Sequence, residues 1–319
     1  MGNFLSRDRH VERTLQSRRL HYVLYAAIVA GVSVLAHLGT SLVLMAMVSE
    51  RGERPGLIAR CPEGGGTLLI CGGGRVPESI RDRFVELAGG AKAKIVVIPT
   101  AAGLEADKPE IAGTLDKWMS RRVASARLFH TRDRRQANDP EFAHSLAEAT
   151  GVWINGGHQT WLSEAYTGTE VERELLALLE RGGVIGGTSA GAGIMSRVMI
   201  AHGRDVAVVQ QGFDLLPGVV IDQHFLKRNR MKRLLGVLEA HPDLIGLGID
   251  EETALEVSVR HRRMTVLGKS YAVACVLGPD PDDRSPRLDI LKPGDEADLS
   301  ALKKRVANAV IPGIEVEGL

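Results

Sequence analysis

Three short stretches hold residues whose types could carry out nucleophilic acyl transfer. The first is Gly187-Thr188-Ser189-Ala190-Gly191, a G-x-S-x-G that follows the apolar residues Val184 to Gly186. A serine at the tip of a sharp strand-to-helix turn sits in strained backbone, and its neighbours must be small so that the returning chain can pass. Such a turn also puts Ser189 at a helix N-terminus, where free N–H groups favour negative charge, and the Ala190 N–H would face a new oxyanion. The second stretch, Val220 to Phe225, delivers His224; the third, Leu247 to Ala254, delivers Asp250, Glu251 and Glu252. A serine hydroxyl needs a histidine to take its proton and a carboxylate to fix the imidazole, so these stretches supply a triad in the order Ser, His, acid. Each has a plain alternative: a Gly-rich turn with an incidental serine, a structural histidine, a solvated acidic turn. The residues alone leave open which carboxylate serves.

The elements that must position these groups read as alternating strands and helices. Strands are expected at Thr67 to Cys71, Lys94 to Pro99, Ala126 to His130, Val152 to Asn155 and Val184 to Gly186. Helices are expected near Glu78 to Ala88, Ile111 to Arg121, residues 140 to 149 and Glu170 to Glu180. Such alternation predicts an α/β fold: a mostly parallel sheet covered on both faces, three layers in all. Sites in such sheets lie at the strand carboxyl ends, where Gly72-Gly73-Gly74, Gly156-Gly157 and Ser189 all fall. A basic segment follows His224, with Arg228, Arg230 and Arg233. On a continuous helix Arg230 and Arg233 share a face; a bend at Asn229 would instead send Arg228 and Arg230 out from a loop.

Upstream of residue 67 the chain changes character. Residues 1 to 48 combine an arginine-rich flank with an apolar run from Tyr22 to Val48, long enough to cross a bilayer core of about 30 Å. The flank predicts a membrane anchor or signal peptide with residues 67 to 319 on the outer side, membrane-anchored or exported. A start at Met45 or Met47 would make the protein cytoplasmic. Residues 49 to 66 read as a linker. The net charge of +1 argues against electrostatic binding of nucleic acid. Three cysteines, Cys61, Cys71 and Cys275, make neither a disulfide framework nor a zinc site.

Taken together, GGTSAGA, DQHF with its trailing arginines, GLGIDEETA, and the earlier GGG and GGHQ loops resemble the cyanophycinases of the S51 serine peptidase family. The resemblance spans roughly residues 65 to 300. It implies the fold of class I glutamine amidotransferases, flavodoxin-like, with serine as nucleophile. It implies hydrolysis of cyanophycin, a poly-aspartate carrying arginine on each side-chain carboxylate, to β-Asp-Arg dipeptides, with no cofactor and no metal. By motif, Ser189 is nucleophile, His224 base and Glu251 orienting acid. Gly157 and Ala190 form the oxyanion hole, and Gln159, Asp222, Gln223, Arg228, Arg230 and Arg233 bind substrate. A homodimer is the expected assembly. His158 departs from the pattern, which has a smaller polar residue such as Asn there. The alternatives are an S51-type peptidase for other Asp-containing peptides and a non-catalytic, membrane-tethered member of the fold.

Overall fold

A computed structural model describes residues 65–102, 113–278 and 284–302. The expected leader, residues 1 to 48, and nearly all of the linker lie outside the described residues. Among the described residues, no helix is long and apolar enough to cross a membrane.

The parallel strands are short runs, apolar and buried on both faces except at the edge strand Ser125–Leu128, whose residues are exposed or half-buried. They are β1 (Thr67–Cys71), β2 (Lys94–Ile98), β3 (Ser125–Leu128), β4 (Gly151–Ile154) and β5 (Val184–Thr188). All five are mutually parallel, in the order β3-β2-β4-β5-β1, which makes the serine-bearing β5 an interior strand. Alternation along each strand sends side chains into two separate cores. Leu68, Ile70, Val152 and Ile154 belong to one, and Leu69, Cys71, Trp153 and Val184 to the other. Two cores flanking one sheet are the three layers the alternation predicts.

The helices cover these cores with one apolar stripe each. α1 (Glu78–Leu87) starts after Pro77 with an acidic residue in its first turn and buries Ile80, Phe84 and Val85. α2 spans Gly113–Met119; α3 (Arg134–Ala137) and α4 (Pro140–His144) begin at Asp133 and Asp139, whose carboxylates accept N-terminal amide bonds. α4 is thus shorter than the helix expected over 140 to 149. α5 (Gln159–Tyr166) emerges directly from the Gly156-Gly157 loop, and α6 (Glu170–Glu180) buries Val171, Leu175, Leu178 and Leu179. α7 (Ala190–Gly193) is the single turn after Ser189.

Beyond α7 the chain departs from simple β/α alternation. β6 (Val198–His202) and β7 (Val208–Gln211) form a hairpin; β8 (Val219–Gln223), α8 (Met231–Ala240) and β9 (Ile245–Ile249) follow. β10 (Thr253–Ser258), β11 (Arg263–Gly268) and β14 (Glu296–Asp298) extend the main sheet antiparallel beyond β1, giving eight strands. β12 (Ala272–Leu277) and β13 (Pro286–Leu291) join β9 and β8 in a second, four-stranded sheet. β8 and β9 are parallel neighbours there, so the ends that deliver His224 and Glu251 lie side by side.

Candidate active site

Ser189 has φ 53° and ψ −109°, the strained geometry expected of the turn between β5 and α7. Close packing makes glycine obligatory on both sides. A Cβ on Gly191 would run into the Ile154 carbonyl oxygen, and one on Gly187 into the Gly191 carbonyl oxygen. The Ser189 N–H donates to the Cys71 carbonyl at 3.0 Å, which ties the elbow to the end of β1.

His224 follows β8, also at positive φ (50°), and its N–H donates to the Gly72 carbonyl at 2.7 Å. Its Nε2 lies 2.8 Å from Ser189 Oγ, and its Nδ1 lies 2.7 Å from Glu251 Oε1. An ionised carboxylate only accepts, so Nδ1 carries the proton and Nε2 accepts the serine O–H. His224 and Glu251 side chains are 10% and 29% exposed, so the base is sheltered while its acid stays near solvent. Burial holds the His224 pKa below the ordinary imidazole value; the bond to Glu251 opposes this, and the cations Arg228 and Arg230 add to the lowering. The imidazole is therefore neutral at pH 7, the form that can take a proton.

The Gly72 to Gly74 loop is the floor of this constellation. A Cβ on Gly73 would strike the His224 ring, and one on Gly74 would lie 3.0 Å from Glu251 Cβ. Absent side chains here let the imidazole and its carboxylate meet over bare backbone. The same loop fixes the acidic turn, since the Glu252 N–H donates to the Gly73 carbonyl at 3.0 Å.

The three carboxylates divide their work. Asp250 accepts from the Lys227 N–H at 2.9 Å and from Ser270 Oγ at 2.8 Å, so it pins the histidine turn to the acidic one. Glu252, at φ 56°, pairs with Lys269 on the surface. Only Glu251 reaches His224 among the three.

Gly157 (φ 141°) and Ala190 flank the serine. A Cβ on the preceding Gly156 would sit 3.3 Å from Ser189 Cβ, and one on Gly157 would collide with the Ala101 carbonyl. Ala190 is buried at the start of α7. The departing residue His158 is exposed at the start of α5, its ring 4.3 Å from that of Trp161.

The residues expected to bind substrate separate into two groups. Gln159 is buried and donates from Nε2 to the Ile200 carbonyl at 2.7 Å. Asp222 is fully buried and receives Arg233 in a two-pronged ion pair, with Nε at 2.8 Å from Oδ2 and Nη2 on Oδ1. Burial pushes the Asp222 carboxyl upward, and Arg233 pulls it back. Arg233 is itself 2% exposed and bonds the Gly203 carbonyl, so it braces β8 against the β6–β7 hairpin. The chain does bend at Asn229 (φ 50°), and α8 begins after it. Arg230 caps α8 and Arg233 lies in its first turn, and both converge on Asp222; Arg230 reaches it at 3.5 Å and also bonds the Gln223 carbonyl from a half-buried position. Burial and the neighbouring Arg233 and Arg228 charges pull Arg230 down to about 10, still protonated at neutral pH. Arg228 is exposed. Gln223 is buried with its Oε1 lacking a hydrogen-bond partner among the described residues. Cys71 and Cys275 are buried, which pushes their thiols up to about 12 and about 11, so neither is a nucleophile.

The family model of peptidase family S51 matches residues 68–264. The chain is 33% identical over 218 residues to a cyanophycinase of Geminocystis herdmanii, covering 64% of this chain and 78% of that protein. It is 34% identical over 243 residues to a cyanophycinase of Trichormus variabilis, covering 70% and 80%. A solved structure of a peptidase from an acI-B1 Actinobacterium superposes with a TM-score of 0.53 at 22% identity, over 74% of this chain and 98% of that one, and shares the fold. The strained serine, the neutral imidazole against it and this match over most of the folded region lead to one conclusion: the chain belongs to peptidase family S51 and is a cyanophycinase-like, serine-type peptidase.

Proposed function

We propose that the protein hydrolyses cyanophycin to β-Asp-Arg dipeptides through Ser189, His224 and Glu251. The observation that carries this reading is the unbroken Ser189–His224–Glu251 hydrogen-bond chain at 2.8 and 2.7 Å. In the reaction Ser189 Oγ attacks the scissile carbonyl carbon as His224 Nε2 takes its proton. The oxyanion is held by the N–H groups of Gly157 and Ala190, aided by the positive end of α7. His224 then gives the proton to the leaving amine, and water hydrolyses the acyl-serine by the same relay. Glu251 stabilises the imidazolium without taking its proton. Arg228 and Arg230 face the carboxylates of the polymer; Arg233 supports them from behind through Asp222. The curated relatives are cyanophycinases, which is the ground for choosing this polymer.

The test is release of β-Asp-Arg from cyanophycin, set against hydrolysis of a plain α-Asp dipeptide. The expected result is turnover of the polymer in preference to the dipeptide, and a loss of about 10³-fold or more in Ser189→Ala with the fold intact. Preference for the α-Asp dipeptide would transfer the assignment to Asp-peptides in general. Glu251→Gln should cost far more turnover than Glu252→Gln, because only Glu251 bonds the imidazole.

A further inference from the structure

A cavity of about 190 Å³ is lined by Thr188, the residue before the serine, and the mechanism above makes no use of it. Its near wall is built from the serine-bearing strand and from two loops that pack around the triad. Thr188 precedes Ser189; Asn155 precedes Gly156, which packs against Ser189; Gly74 packs against Glu251. The far wall comes from α1 and α2, with Arg81, Lys117, Trp118 and, from β4, Trp153. The two indoles are almost completely buried with ring centroids 5.2 Å apart, so this wall is rigid and its shape is set by the core.

Charge decides what such a cavity takes. Arg81 and Lys117 line it, and among the described residues no acidic side chain does. Arg81 is held in place through Nη1, which donates to the Val76 carbonyl at 2.9 Å and to Glu78 Oε1 at 2.7 Å. Glu78 also pairs with Arg121, so its charge is shared between two guanidiniums. A guanidinium from substrate would meet two cations here, whereas a carboxylate would meet a fork and an ammonium. At the inner end, Thr188 Oγ1 is buried without a hydrogen-bond partner among the described residues, a position that costs stability unless something binds there.

We propose that this cavity is a carboxylate-binding subsite: it takes the free α-carboxylate of the arginine branch on the unit next to the scissile bond, using Arg81, Lys117 and the Thr188 hydroxyl. The inference rests on the peptide-hydrolase reading above. It makes the cavity a specificity determinant that requires an acidic group on substrate at that point.

The test reads the rate at which a fluorophosphonate labels Ser189, with β-Asp-Arg or its diamide, both carboxyls amidated, as protecting ligand. Rates are taken relative to the same variant without ligand. The free dipeptide should protect wild-type protein at about tenfold or more lower concentration than the diamide, and Lys117→Gln should shrink that preference to below about threefold. Thr188→Val should shrink it too, by a smaller factor. Equal protection by both forms, protection by neither, or a preference untouched by Lys117→Gln would overturn the subsite. Cyanophycin turnover separates this from the parent reading. A polymer left uncut with a Lys117-dependent preference sinks the substrate assignment and keeps the subsite; a polymer cut with no such dependence does the reverse.

Discussion

The turn after β5 and the turn after β8 solve the same problem by different physics. Each holds a reacting side chain at positive φ, Ser189 at 53° and His224 at 50°. The serine turn is held by contact. Its glycines let backbone pass backbone, and a single added methyl at Gly191 has nowhere to go. The histidine turn is held by charge: Asp222 at the end of β8 is locked to Arg233 at the start of α8, across the bend at Asn229. Contact leaves no freedom but also no adjustability. A charged brace costs desolvation and in return sets the electrostatic environment of the imidazole.

Breaking the charged brace should have the largest effect. Arg233→Met leaves Asp222 buried without its partner, a loss of about 3–5 kcal/mol in unfolding free energy measured by denaturant titration. Adding Asp222→Leu to that variant should restore much of the stability, since the uncompensated charge is gone; no recovery would mean that the pair matters for packing and not for charge. Breaking the contact-held turn comes next. Gly191→Ala forces a Cβ toward the Ile154 carbonyl and should cost about 1–3 kcal/mol. It should also lower kcat by displacing Ser189 from His224. Unchanged kcat would show that the elbow has slack.

The smallest effect sharpens the contrast. Arg228 is exposed and lowers the His224 pKa by its charge alone. Activity needs the neutral imidazole, so it falls as pH drops through the His224 pKa. Removing a cation raises that pKa, so Arg228→Gln should move the acid limb of the kcat/KM profile to higher pH, a small displacement because solvent screens the exposed Arg228 charge. The shift should shrink as salt is added. An acid limb that moves to lower pH would contradict the electrostatic account.

Chemistry carried by local spacing was legible before any coordinates. G-x-S-x-G encodes its own geometry, because the need for small residues around a strained serine is a local steric fact. The Thr67 to Cys71 and Lys94 to Ile98 strands were legible for the same reason: a short apolar run between turn residues has few other uses. α5 was missed because its first residue, Gln159, belongs to a Gly-rich stretch that reads as loop. The three antiparallel strands of the main sheet and the second sheet escaped as well. Strand pairing such as Leu69 opposite Glu256 joins residues far apart in sequence, and nothing local announces it.

The sequence by itself determined that Ser189 stands on a strand-to-helix turn, that His224 and an acidic turn end strands, and that the sheet is covered on both faces. These follow from backbone sterics and hydrophobic period, which act over a few residues. The motif resemblance singled out Glu251 from Asp250 and Glu252, but only the tertiary structure showed its carboxylate bonded to the imidazole and decided which arginine turns inward. Arg228, Arg230 and Arg233 look alike along the chain. The bend at Asn229 and the buried Asp222 separate them, leaving Arg233 inside and Arg228 outside. A guanidinium is buried only where a carboxylate already waits for it, and that partner is placed by the sheet rather than by the neighbouring residues.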